Sequence, residues 1–139
     1  MDNPTKVAEL IAKLSKLHEN CVREELAKQS LRVSYRSLLS PLADKDGVTQ
    51  LDLVRITGLK PPTVSTTLRV MEHHGYVERV GDDNDARIIR VNLTEKGRKA
   101  NEQMRTATTK LDTRFFSVYS DEELEQLYSL LNIFIERTK

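Results

Sequence analysis

Residues 49–97 read TQLDLVRITGLKPPTVSTTLRVMEHHGYVERVGDDNDARIIRVNLTEKG, and the order of caps, stripes and breakers in this stretch decides the fold. Thr49, with Asp52 three residues on, is a capping-box start in which Asp replaces the usual Glu or Gln. Gly58 stops that first short helix, because glycine enters the left-handed conformation without steric cost. A second helix is predicted from Pro62 to His74. Proline suits its first turn, where no amide donor is needed, and Gly75 closes it. Two helices joined by a tight glycine-containing turn predict a helix-turn-helix.

The second helix has two unlike faces. Val64, Leu68 and Met71 fall at i, i+4 and i+7 and share one buried stripe. Pro62, Ser65, Thr66, Arg69 and His73 lie on the opposite side, with Thr63 beside them and no carboxylate among them. Small hydroxyl side chains permit close approach to a major groove, and Arg can bond guanine bidentately. An ordinary solvated face is the competing reading. Ser and Thr are mediocre helix formers, so clustering them where packing makes no demand favours recognition.

Tyr76–Val80 reads as a strand, 81–87 as a polar tip, and Ile88–Leu93 as a returning strand with Ile89, Val91 and Leu93 on one face. Thr94 is the expected N-cap of a following helix. A helix-turn-helix followed by such a hairpin is a winged helix.

Asp85-Ala86-Arg87, followed by Leu93-Thr94-Glu95-Lys96-Gly97, resembles the D-x-R … L-T-x-x-G signature of the MarR (multiple antibiotic resistance regulator) family. Pro62–Ser65 and Glu72–Val77 are similar to that family's recognition helix and its exit. The resemblance implies a homodimeric transcription regulator, usually a repressor released from DNA by a small ligand or by oxidation. It implies that Arg87 reaches into a minor groove, held by Asp85. A narrow A·T-rich groove concentrates negative potential and attracts Arg. A surface ion pair is the blander account of these two residues, and such pairs are worth roughly 0–1 kcal/mol. The resemblance also implies a short strand at Val48 beside the wing.

At 139 residues the chain is expected to form one domain, or one with extensions. Its net charge of +1 announces no nucleic acid, so any DNA-binding field must come from uneven placement. Arg55, Lys60, Arg69, Arg79, Arg87, Arg90, Lys96, Arg98 and Lys99 crowd the winged stretch, whereas Asp121, Glu122, Glu123 and Glu125 make the C-terminal segment acidic. A few Lys and Arg contacts to phosphate suffice for salt-sensitive affinity. The polar start Met1–Pro4, the lack of any apolar run long enough to span a bilayer, and a single cysteine point to a cytoplasmic protein without an intrachain disulfide.

Outside the winged stretch, Val7, Leu10, Ile11, Leu14, Leu17, Cys21 and Val22 recur at helical spacing, capped by Asn3 or Thr5 around Pro4 and running to about Gln29. Leu31, Val33, Tyr35, Leu38, Leu39 and Leu42 predict a supporting helix. Ala100, Met104, Ala107, Leu111, Phe115 and Val118 predict a long one. Ser120 with Glu123 is a second capping box, opening a helix whose stripe is Leu124, Leu127, Leu130, Leu131, Phe134 and Ile135. The expected fold class is therefore mainly α: a winged helix-turn-helix with a small β-hairpin wing, flanked by terminal helices. By the resemblance, residues 1–30 and 98–139 dimerise around a DNA-binding region at 31–97, as one intertwined domain.

The candidate DNA-binding residues are Pro62, Thr63, Ser65, Thr66, Arg69, His73, Asp85 and Arg87, on double-stranded DNA with a pseudo-palindromic operator. His18 and Tyr35 are candidates for a small-molecule effector pocket, with core packing the competing role for Tyr35. A peroxide-sensing branch of the family uses a cysteine nearer the start of the first helix, where this chain has Leu10 and its neighbours. Cys21 sits on an apolar stripe, where cysteine serves as a small hydrophobe, and redox sensing through it is the minority alternative. The three histidines lack ligand spacing, and adjacent His73 and His74 point about 100° apart on a helix, so no metal and no cofactor are expected. Glycine-rich phosphate loops, nucleophile elbows and His-Glu-His metal patterns are missing, which argues against an enzyme. A winged-helix module that docks a protein partner is the rival from another class.

Overall fold

The structure is a computed structural model and describes residues 3–139. In chain order it contains α1 (Pro4–Lys28), a 3-10 turn (Val33–Tyr35), α2 (Arg36–Asp44), β1 (Val48–Thr49) and α3 (Gln50–Thr57). There follow α4 (Pro61–His73), β2 (Val77–Gly81), β3 (Ile89–Leu93), α5 (Glu95–Phe115) and α6 (Asp121–Thr138). The three strands form an antiparallel sheet in the order β1-β3-β2, with Val48 opposite Val91 and Val77 opposite Leu93. This is the mainly α winged helix that the sequence predicts, including the short strand at Val48.

Caps set the helix ends. The Asn3 side chain accepts from the Thr5 amide, with Pro4 in the first turn of α1. Thr49 and Asp52 close a reciprocal capping box on α3, and Ser120 and Glu123 close another on α6. The bond from the Thr49 amide, followed by that from its hydroxyl, holds the Asp52 carboxyl below its ordinary range. Gly58 (φ 69°) and Gly75 (φ 81°) end α3 and α4 in the left-handed region, as a tight turn requires. α4 occupies Pro61–His73, one residue earlier at each end than expected, because Pro61 already supplies a fixed φ at the first position.

One core joins the elements. Val22 and Leu26 of α1, Leu38, Leu39 and Leu42 of α2, Leu53 of α3, and Val64, Leu68 and Met71 of α4 are all buried. Val91 and Leu93 of the sheet and Ala100, Met104, Ala107 and Leu111 of α5 complete it. Each fully buried aliphatic side chain contributes roughly 1.5–3 kcal/mol relative to exposure, so this layer fixes where α4 and the wing stand.

Two expectations change in three dimensions: the single helix from Leu31 to Leu42 and the reach of α5 to Val118. The apolar set from Leu31 to Leu42 is not one helix: Ser30 at φ 57° breaks the chain, and the Leu31 amide bonds back to the Leu26 carbonyl to close α1. Val33–Tyr35 then makes a 3-10 turn before α2. Val118 lies past the end of α5 and is 82% exposed. Ile89 keeps its alternation with Val91 and Leu93 but reaches beyond the body of the domain and is exposed. Leu10, Ile11, Leu14 and Leu17 are exposed within the chain, and α6 buries none of its residues there. No described helix is long and apolar enough to cross a membrane.

Candidate nucleic-acid interface

The buried stripe of α4 determines what the helix presents outward. With Val64, Leu68 and Met71 locked in the core, Pro62, Thr63, Thr66, Arg69 and His73 are exposed and Ser65 is half-buried. All six expected residues thus sit off the core face. His73 stands edge-to-face with His74, ring centroids 5.2 Å apart. Glu72, the carboxylate of this helix, pairs with Arg79 of β2 at 3.5 Å.

The wing holds its arginine with a fork. Arg87 donates from Nε and Nη2 to the two Asp85 carboxylate oxygens, each at 3.1 Å, and its own amide donates to Asp85 Oδ1 at 3.0 Å. These bonds, the side-chain one first, keep the Asp85 carboxyl charged and below its ordinary range. The Arg87 side chain is 91% exposed and Asp85 32%. The fork fixes the guanidinium while leaving its outer edge open. The pairing that the family resemblance implies is present.

A second ion pair was invisible in the sequence. Arg90 of β3 donates from Nε to Asp82 Oδ1 at 3.0 Å and from Nη1 to the Gly47 carbonyl at 2.9 Å. The other Asp82 oxygen accepts the Asn84 and Asp85 amides at 3.1 and 3.0 Å. The Arg90 bond leads the effects that lower the Asp82 pKa. Asp82 and Arg90 sit on opposite arms of the hairpin, eight residues apart, so no local spacing marks them as partners. Gly47 is anchored in turn by its amide, which donates to Asn92 Oδ1 at 2.6 Å. Its neighbour Asp46 pairs with Arg98 of α5 at 2.7 Å.

The cations of the winged region divide into paired and unpaired ones. Ion pairs engage Arg79, Arg87, Arg90 and Arg98. Arg55, Lys60 and Arg69 are exposed and have no carboxylate partner among the described residues. Lys60 is the residue that precedes α4, at the positive end of its dipole.

The proposed pocket pair does not come together. His18 Nε2 lies 2.7 Å from Asp112 of α5 and packs edge-on against Phe115. Tyr35 is buried against Tyr76, with its hydroxyl unpartnered among the described residues; burial raises its pKa, opposed by the nearby Arg32. Neither lines the cleft of about 570 Å³ between α1, α2 and α5, whose walls include Arg23, Arg36, Ser37, Ser40 and Arg105. Helical periodicity cannot reveal that cleft, because its polar residues come from three separate elements. Cys21 is half-buried beside Leu111 and Phe115. No metal-binding cluster occurs among the described residues.

Residues 33–88 match the sequence model described as the MarR family. A curated relative, the uncharacterised HTH-type transcriptional regulator YwhA of Bacillus subtilis, is 30% identical over 80 residues, and the match spans 58% of each protein. The fold is similar to a putative MarR-like transcription regulator from Bacillus cereus, with TM-score 0.88, 20% identity and 97% of each chain covered. It is also similar to a mutant MarR from E. coli complexed with operator DNA, with TM-score 0.83, 20% identity and 93% of each chain covered. The sequence match covers the helix-turn-helix and wing, and the fold is shared with MarR-like regulators over nearly the whole length.

Proposed function

We propose that this chain is a homodimeric, DNA-binding transcription regulator of the repressor type. α4 enters the major groove through Pro62, Thr63, Ser65, Thr66, Arg69 and His73. The wing places Arg87 in the flanking minor groove, held by Asp85. The observation that carries this reading is the fork-held Arg87, 91% exposed at the tip of the hairpin that follows α4. A guanidinium immobilised at its inner edge and open at its outer edge loses little side-chain freedom when it meets a groove.

The homodimer rests on the unburied apolar residues of α1 and α6. Leu10, Leu17, Leu130 and Phe134 are 50–66% exposed in the single chain. An amphipathic helix that buries nothing in its own chain gains stability by burying that stripe against another surface. With two-fold symmetry the recognition helices would stand one helical turn apart, ~34–36 Å, on a pseudo-palindromic operator. A small effector would occupy the cleft between α1, α2 and α5, where three arginines against one carboxylate, Glu19, favour an anion. It would release DNA by preferring the dimer with the wrong helix spacing.

Selection of bound duplexes from a random pool, followed by titration at two salt concentrations, tests this. The expected outcome is an enriched inverted repeat whose affinity falls steeply with salt. Arg87→Ala is expected to weaken binding to that repeat by roughly tenfold, about 1.4 kcal/mol, without lowering the melting temperature. A dimer that enriches no duplex would point instead to the winged helix as a protein-docking module. Loss of binding on peroxide treatment in wild type, but not in Cys21→Ser, would assign regulation to the cysteine.

A further inference from the structure

The bonds that hold Arg87 act only within the wing tip and do not tie that tip to the body of the domain. Asp85 and Arg87 are two residues apart and would move together if the hairpin bent. Beyond the backbone ladder of β2 and β3, the side-chain link to the body runs through Arg90. Its guanidinium bridges the Asp82 carboxylate at the tip and the Gly47 carbonyl in the turn before β1. Asp82 gathers the tip by accepting the amides of Asn84 and Asp85. The turn is itself fastened to β3 through Asn92 and to α5 through Asp46 and Arg98. Arg90 is half-exposed and Asp82 is 17% exposed, so water screens this pair less than it screens Arg87 and Asp85.

We propose that Arg90 is a positioning residue for DNA binding: by bracing Asp82 against the Gly47 carbonyl, it fixes the height and angle at which the wing presents Arg87. This rests on the reading of Arg87 as a groove contact. The planar guanidinium suits the task, because one fork reaches two acceptors in different directions, which a lysine ammonium on a flexible stem does not reproduce. Two other roles for Arg90 and Asp82 make different predictions. If Arg90 only touched phosphate, its loss and that of Arg87 would add. If Asp82 only contributed charge, neutralising it beside a polyanion would strengthen binding.

The test is a double-mutant cycle on the selected duplex, with Arg90→Ala, Arg87→Ala and the double variant, alongside Arg90→Lys, Asp82→Asn and Arg69→Ala. Arg90→Ala is expected to weaken binding roughly tenfold, as much as Arg87→Ala. Adding Arg87→Ala to it should cost little more, whereas adding Arg69→Ala should cost its full amount. Asp82→Asn is expected to weaken binding despite removing a negative charge, and Arg90→Lys to restore only part of the loss. Hydrogen exchange without DNA should show the Asn84 and Asp85 amides opening faster in Arg90→Ala, with the α4 amides unchanged. Additive losses for Arg90 and Arg87, tighter binding by Asp82→Asn, or unchanged exchange at the tip would each overturn the proposal. If Arg87→Ala itself has no effect, the wing reading fails and this inference with it; a weakened Arg87→Ala beside an unaffected Arg90→Ala sinks this inference alone.

Discussion

Gly97 shows how one residue can be dictated by a neighbour distant in sequence. It sits in the first turn of α5, where a Cβ would collide with the Tyr76 carbonyl oxygen, and the same carbonyl accepts the Thr94 amide at 3.1 Å. Its φ is unremarkable, so the need for glycine comes from space. Gly97→Ala should lower stability by ~1–3 kcal/mol through overpacking, read as a lower denaturation midpoint with an unchanged slope. Tyr35 presents the opposite case. Its ring is buried against Tyr76 but its hydroxyl has no partner among the described residues. Removing an unsatisfied buried hydroxyl relieves a desolvation cost, so Tyr35→Phe should leave stability equal or raise it by up to about 1 kcal/mol. A clear loss of stability in a melting experiment would show that the hydroxyl is satisfied in solution.

Among the elements, α3 and α4 are the most legible from sequence because their signals are local. A capping box spans three residues, a helix stripe repeats within seven, and a left-handed glycine marks its own position. Asp52 adds a pH signature to α3. Its carboxyl is depressed in the folded state below its ordinary value of 3.8, chiefly by the Thr49 amide. A depressed pKa contributes stability above the unfolded value, and that contribution disappears as pH falls through the folded one. Asp52→Ala should therefore cost ~0.3–1 kcal/mol near neutral pH, and the difference from wild type should shrink as pH falls below 3.8 and through the lower folded value. Denaturant titrations at both pH values read this directly. The stretch from Leu31 to Leu42 was less legible, because an apolar set at helical spacing does not reveal that Ser30 takes a positive φ and splits it from α1.

At the scale of the whole molecule, the chain divides into a packed winged region and a half-open pair of helices. The C-terminal half of α1 joins the core through Val22 and Leu26, while Leu10 and Leu14 do not. Phe134 of α6 and Ile11 of α1 line the same apolar recess, which sets the two exposed stripes side by side. Phe134→Glu should convert the proposed dimer to a folded monomer at micromolar concentration in sedimentation analysis. Affinity for an inverted repeat should fall with it, since one subunit reads one half-site. A dimer that survives this change would move the interface elsewhere.

The helix-turn-helix, its caps and the hairpin could be read directly from the order of residues, and the Asp85–Arg87 fork was implied by the family resemblance. Each rests on groups within a few positions of one another, where backbone geometry leaves few choices. The Arg90 brace, the tight seat of Gly97 under Tyr76, the separation of His18 from Tyr35 and the arginine-lined cleft emerge only from folding. They depend on which distant segments the core brings into contact, and periodicity carries no record of that. Periodicity likewise marks a stripe as apolar without naming its partner. The terminal helices show the consequence: within a single chain the first half of α1 and all of α6 leave their stripes facing outward.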